Sequence, residues 1–230
     1  MTIFRYALLR AIRNPLTLIA TYLLPVVLIL IPSLWEDGAF ISGFAFLAIL
    51  VMSSAYLSSL SILTDKADGA VLRILAAPVT MRRYLTENLF ACMVPLFAQI
   101  SLISILGAIL YDWSLTLSLA VFLCYTVLTL ASVTMAFAWH CLFKGAEGNI
   151  AGFSMVLFLT AFLGGMTFPV EVFPGPLQYV GAVFPAYWAM RGLDVVQELG
   201  TVSGEYWLAI AAMLLFAIAY LLYGGKRRIV

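Results

Sequence analysis

Six apolar runs, each long enough to cross a bilayer, follow one another along this chain of 230 residues. They cover residues 16–35, 39–63, 89–111, 115–143, 150–168 and 206–223. A helix rises about 1.5 Å per residue, so some 20 residues cross the ~30 Å hydrocarbon layer. Lipid offers no hydrogen bonds to an open backbone, so runs of this kind become helices. Composition agrees: the chain is 64% hydrophobic and 10% charged, whereas soluble domains are roughly a quarter charged. The expected fold is all-α and integral to the membrane, one transmembrane domain over residues 1–230 with six transmembrane helices. Pro25 and Pro32 predict a kink in the first run, since proline removes a donor and crowds the preceding turn. The fourth run is long enough that it must tilt or leave the bilayer.

Charge placement predicts the orientation. With the N-terminus in the cytoplasm, that side receives Arg5, Arg10, Arg13, Lys66, Arg73, Arg82, Arg83, Lys144, Lys226, Arg227 and Arg228, and only Arg191 of the twelve basic residues falls outside. Eleven to one is a strong positive-inside bias. Both termini and the segment 64–88 are therefore expected in the cytoplasm of a multi-pass cell-membrane protein, most simply a bacterial one. Trp35, Trp113, Trp188 and Trp207 then fall at the outer boundary, and Trp139 and His140 near the inner one. Residues 1–14 place Phe4, Leu8 and Ala11 on one helical face, which predicts a helix lying in the interface; the other reading makes them the start of the first span. The apolar run that follows is too long for a signal peptide and lacks its cleavage pattern, so an uncleaved first helix is expected.

Several function classes are disfavoured. A net charge of +1 gives no footprint for nucleic acid. Cys92, Cys124 and Cys141 lie in apolar runs without a C-x-x-C pair and read as packing residues. No Walker, G-x-S-x-G or H-E-x-x-H motif occurs, and His140 is the single histidine, so no catalytic or metal site is expected. Ser54 and Ser58, and Gly148 and Gly152, form small-x-x-x-small pairs that bring helices close. The hydroxyls and Gln99 within spans serve either packing or a substrate path. No charged residue sits deep in a span, so energy for transport is expected from outside this chain.

The polar segment 64–88 interrupts the apolar pattern. Asp68 can cap a helix starting at Gly69, and Asp65 with Asp68 suits its positive end. Val71, Ile74, Leu75 and Pro78 share one face at i, i+3, i+4, i+7, with Arg73 away from it. Pro78 ends the helix at about two turns. So short a helix needs a partner surface, either lipid headgroups or a cleft on a soluble protein. Near the other end of the chain, Pro169, Pro174, Pro176 and Pro185 punctuate an apolar stretch that cannot span between breaks. Non-helical backbone at membrane depth needs protein cover, so residues 169–205 read as an outer re-entrant hairpin and loop.

The segment DKADGAVLRILAAPVT resembles the acidic-x-x-x-Gly-Thr-x-x-x-Leu-x-x-x-Pro signature of ABC-2 type exporter permeases. Asp65, Gly69, Leu72, Leu75 and Pro78 fall on patterned positions; Ala70 stands in the usual threonine place and Asp65 in the usual glutamate place. The outer segment from Gly164 resembles the same family's proline pattern before its last helix. This resemblance implies a type V exporter-like fold, in which Asp65, Asp68, Gly69, Val71, Leu72, Arg73, Ile74, Leu75 and Pro78 form a cytoplasmic coupling helix docked on a separate ABC ATPase subunit. It implies an outer gate around Phe168, Pro169, Glu171, Pro174, Pro176 and Pro185. It further implies a homodimer or heterodimer of permease subunits amid membrane lipids, with ATP and magnesium bound by the partner and no cofactor bound directly. The expected function is the permease subunit of an ATP-driven exporter for an amphiphilic drug, peptide or lipid-like substrate. The alternative is a channel or membrane scaffold not driven by ATP.

Overall fold

The computed structural model describes residues 2–35, 42–70, 80–143, 145–168 and 172–226. They form helices and turns, with no strand among the described residues. The chain opens with α1 (Thr2–Arg13), followed by α2 (Pro15–Leu18), a π-helical turn (Ile19–Leu23) and α3 (Leu24–Ile29). The long helices are α4 (Gly43–Ala67), α5 (Met81–Leu110), α6 (Leu115–His140), α7 (Ala146–Leu163) and α10 (Gly204–Lys226). Between the last two lie the shorter α8 (Gly175–Gly181) and α9 (Pro185–Leu199). Among the described residues, five helices are long and apolar enough to cross a membrane, and the bent pair Ile3–Arg13 and Pro15–Ile29 makes a sixth if counted as one span.

That bend, 73°, has a local cause. Asn14 adopts an extended backbone and its side chain accepts from the N–H groups of Leu16 and Thr17, while Pro15 occupies the first turn of α2. An Asn cap followed by Pro starts a new helix where the old one stops. The second irregularity precedes Pro25. The Leu24 N–H reaches back to the Ile19 carbonyl, an i→i+5 bond, and this π turn accommodates a residue that cannot donate. The α-helical part of the first run thus ends at Ile29, with a 3₁₀ turn over Pro32–Leu34.

α6 is the centre of the bundle. Seventy-two per cent of its most apolar stretch is buried, against 17% for α7 and 28% for α10. It packs against α4, α5, α9 and α10, so the weakly buried helices are the peripheral ones. One core joins α4, α6, α9 and α10 around Leu47, Met52, Tyr125, Leu128, Leu193 and Met213. A second, around Ile62, Tyr84, Leu96 and Phe137, joins α4, α5 and α6.

Lipid weakens the hydrophobic drive between helices, so polar ties and close approach gain importance. Four tyrosine hydroxyls donate to main-chain carbonyls of other elements: Tyr22 to Pro95 (3.1 Å), Tyr111 to Ile29, Tyr125 to Phe44 and Tyr206 to Ala120 (each 2.7 Å). Most span hydroxyls instead serve their own helix. Thr126, Thr129, Ser132 and Thr160 donate to the carbonyl four residues back, which favours packing over a path for them. At the end away from α1, Trp35, Phe44, Tyr111 and Trp113 form an aromatic cluster with ring centroids 5.1–5.4 Å apart. Gly43 and Gly107 lie directly beneath the Trp35 and Trp113 rings. Gly152 likewise admits the Trp139 ring, where a Cβ would stand 2.8 Å from it.

Candidate functional site

The polar residues that join helices concentrate at the end of the bundle that carries α1. There the last turns of α4 lead toward the segment 71–79. Asp65, on α4, takes both guanidinium nitrogens of Arg10 from α1, at 2.6 and 3.0 Å, and accepts the Tyr84 hydroxyl of α5 at 2.7 Å. Tyr84 is buried and the Asp65 side chain is 14% exposed, while Arg10 remains 42% exposed. One carboxylate therefore ties three helices. A second tie lies alongside: Glu87 of α5 accepts the Phe4 N–H in the first turn of α1 at 3.0 Å and pairs with Arg83 at 2.8 Å. A carboxylate at a helix start meets its free N–H groups and positive dipole end. A cleft of about 790 Å³ between α1 and the α4–α5 pair is lined by Tyr6, Arg10, Arg13, Asp65, Tyr84 and Asn88, among others.

On its other side α4 is tied to α6 and α7. Lys66 donates to the carbonyls of His140 (3.3 Å) and Phe143 (2.9 Å) at the end of α6, where free carbonyls favour a cation. One turn deeper, His140 is fully buried. Its Nε2 lies 2.8 Å from Ser59 Oγ of α4 and its Nδ1 3.1 Å from Asn149 Oδ1 of α7. Asn149 Oδ1 also accepts the Tyr56 hydroxyl (2.9 Å), and the Asn149 carbonyl accepts the Trp139 indole N–H (3.0 Å). Tyr56 stacks on Phe153, centroids 3.9 Å apart. His140, expected at the interface, is instead enclosed, because α4 and α7 close over the last turn of α6. No sequence pattern announces this; only the scarcity of His and Asn in an apolar chain points toward it.

The expected coupling residues divide. Asp65, Asp68 and Gly69 are described; Val71, Leu72, Arg73, Ile74, Leu75 and Pro78 lie outside the described residues. Asp68, expected to start a helix, is the C-cap of α4, and its N–H bonds to the Thr64 carbonyl. Gly69 follows at φ +65°, the left-handed residue that ends a helix. The helix of the second apolar run thus extends past residue 63 into the polar segment. The negative charge expected to serve a following helix is, at Asp65, committed to Arg10 and Tyr84.

Of the expected outer residues, Pro169 and Glu171 lie outside the described residues. Pro174 is the N-cap of α8, Pro176 lies in its first turn and Pro185 opens α9. These prolines start helices rather than merely breaking one. α9 is amphipathic: Ala186, Ala189, Met190, Leu193 and Val196 are buried against the bundle, and Gly192 meets Ala209 of α10. Gly181 at the end of α8 abuts the Leu163 carbonyl, so α8 and α7 meet without a side chain between them. The Phe168 ring is packed with Phe162, centroids 5.7 Å apart.

The family model described as ABC-2 family transporter protein matches residues 36–225, most of the chain. The chain belongs to this family. It is an ABC-2 type permease, a multi-pass membrane component of a transporter and not itself a catalyst. No curated protein matches it. The matched region starts after α1, yet in this permease α1 is bonded to α4 and α5 within it through Arg10 and Phe4.

Proposed function

We propose that this permease is the membrane subunit of an ATP-driven exporter, with six spans and both termini in the cytoplasm. Two such subunits, identical or different, form a translocation path for an amphiphilic drug, peptide or lipid-like substrate. A separate ABC ATPase subunit, which binds ATP and magnesium, docks on residues 65–78, with Val71, Leu72, Ile74, Leu75 and Pro78 as the contact face and Asp65, Asp68, Gly69 and Arg73 framing it. Closure of the ATPase pair moves this segment and, through it, the first, second and fifth spans. The α8–α9 region with Phe168, Pro169, Glu171, Pro174, Pro176 and Pro185 is the outer gate.

The observation that carries this reading is the clamp at the end of α4. Asp65 holds α1 and α5, and Lys66 holds the end of α6, three and two positions before the C-cap Asp68. A push on the segment after Gly69 is thereby delivered to four helices rather than absorbed in a loop. The test is Leu75→Asp. The variant should insert normally but lose ATPase stimulation and export; normal export from it would overturn the docking assignment. Purification with an affinity tag should retain an ABC ATPase chain, and its absence under mild conditions would favour a channel or scaffold.

A further inference from the structure

α1 covers one cleft with its Arg10 face and borders a different groove with its Phe4–Arg5 edge. This second groove, about 840 Å³, runs between α1 and the first half of α5 and is lined by Phe4, Arg5, Phe90, Met93, Val94 and Phe97, with Glu87 at its mouth. Phe90, Val94 and Phe97 follow at i, i+4 and i+7, a single helical stripe, and each remains about half exposed. Among the described residues the Phe122 ring of α6 meets Phe97 edge-on, centroids 5.1 Å apart, and α1 shelters the upper end of the stripe. The groove is thus open to the surroundings of a membrane span along its length and roofed by a polar helix at one end.

The charges at that roof have one sign to offer. Glu87 is engaged by Arg83 and by the Phe4 N–H. Arg5 is exposed and makes no ion pair among the described residues. A guanidinium presents a planar fork of donors that matches a phosphate. An apolar channel one helix stripe wide beneath a guanidinium without an ion pair among the described residues is the shape of a fatty chain beneath an acidic head. We propose that the α1–α5 groove binds an anionic phospholipid, its acyl chain along Phe90, Val94 and Phe97 and its phosphate on Arg5. The bound lipid fixes the angle of α1 over α5 as a third tie beside Asp65 and Glu87. The site needs no ATPase partner, so it stands or falls separately from the exporter reading.

The test uses the full-length permease in detergent, titrated with phosphatidylglycerol and, separately, phosphatidylcholine of the same acyl chains, with bound lipid counted by native mass spectrometry. A phosphatidylglycerol preference is expected. One basic residue near an anionic lipid contributes roughly fivefold in affinity, so Arg5→Gln should lower phosphatidylglycerol binding by about that factor and leave phosphatidylcholine unchanged. Arg191→Gln, on α9, should change neither. Val94→Trp, which fills the groove from a half-exposed position, should remove the preference while the protein still elutes as a single species; if it does not fold, Arg5→Gln decides alone. Equal binding of both lipids by the parent protein, or a preference that survives Arg5→Gln, overturns the proposal.

Discussion

Arg10 and Asp65 stand 55 positions apart and meet in a two-point pair at 2.6 and 3.0 Å, which fastens the first helix to the end of the fourth. Arg10 is 42% exposed, so the pair contributes about 1 kcal/mol or less to stability. Its weight lies in geometry. Asp65→Asn should lower the midpoint of thermal unfolding by only a few degrees, about 2–4 °C. The same change should uncouple ATPase stimulation from transport if the clamp transmits motion. A double-mutant cycle with Arg10→Gln measures the coupling directly, and additivity of the two variants would exclude a working pair.

The enclosed network around His140 should behave differently. Asn149→Leu leaves the Tyr56 hydroxyl and the His140 ring without their shared acceptor in a buried place. Stranding buried polar groups costs about 1–3 kcal/mol, so a larger drop in unfolding temperature is expected than for Asp65→Asn. Calorimetry on the two variants in the same detergent checks the order.

The aromatic cluster beneath Trp35 and Trp113 depends on absent side chains. Gly107→Val drives a branched side chain into the Trp113 ring, an overpacking that costs about 1–3 kcal/mol. Trp113→Ala introduced into Gly107→Val should recover part of the loss. A Gly107→Val protein as stable as its parent would show that the two do not touch.

Orientation is testable by labelling. Thr64, in the last turn of α4, and Tyr179, 80% exposed on α8, should become reactive from opposite sides of the membrane when each is replaced by cysteine. Cys92 and Cys124 are buried, and Cys141, which is partly exposed, is replaced by alanine beforehand. Labelling from one side only would refute the proposed topology.

Much of this fold is legible in hydropathy. Among the described residues the last five apolar runs each lie mainly on one helix, because a span long enough for lipid leaves the backbone no alternative. The Asn14–Pro15 step likewise marks the bend after α1 at the residues where it occurs. What escaped sequence reading was decided by contacts between distant residues. Asp65 looked like a charge for the helix ahead of it, yet Arg10 and Tyr84 claim it. Asp68 followed by glycine fits the start of one helix as well as the end of another; Asp68 is the C-cap of α4, Gly69 is left-handed, and Ala70 directly after it is helical. Pro185 looked like a breaker but opens a 15-residue helix, since proline at the first position is indifferent to the missing donor. The buried state of His140 depends on how α4 and α7 close, which no local pattern records.

The four tyrosine ties carry an evolutionary consequence. Each acceptor is a main-chain oxygen, at Pro95, Ile29, Phe44 or Ala120, and every residue type supplies one. Substitution at the acceptor position leaves the bond available, whereas loss of the tyrosine removes it. Tolerance to mutation should therefore be lopsided across each tie: Tyr22, Tyr111, Tyr125 and Tyr206 stay fixed while the positions they hold are free to drift, and the helices can change their surfaces without losing their moorings.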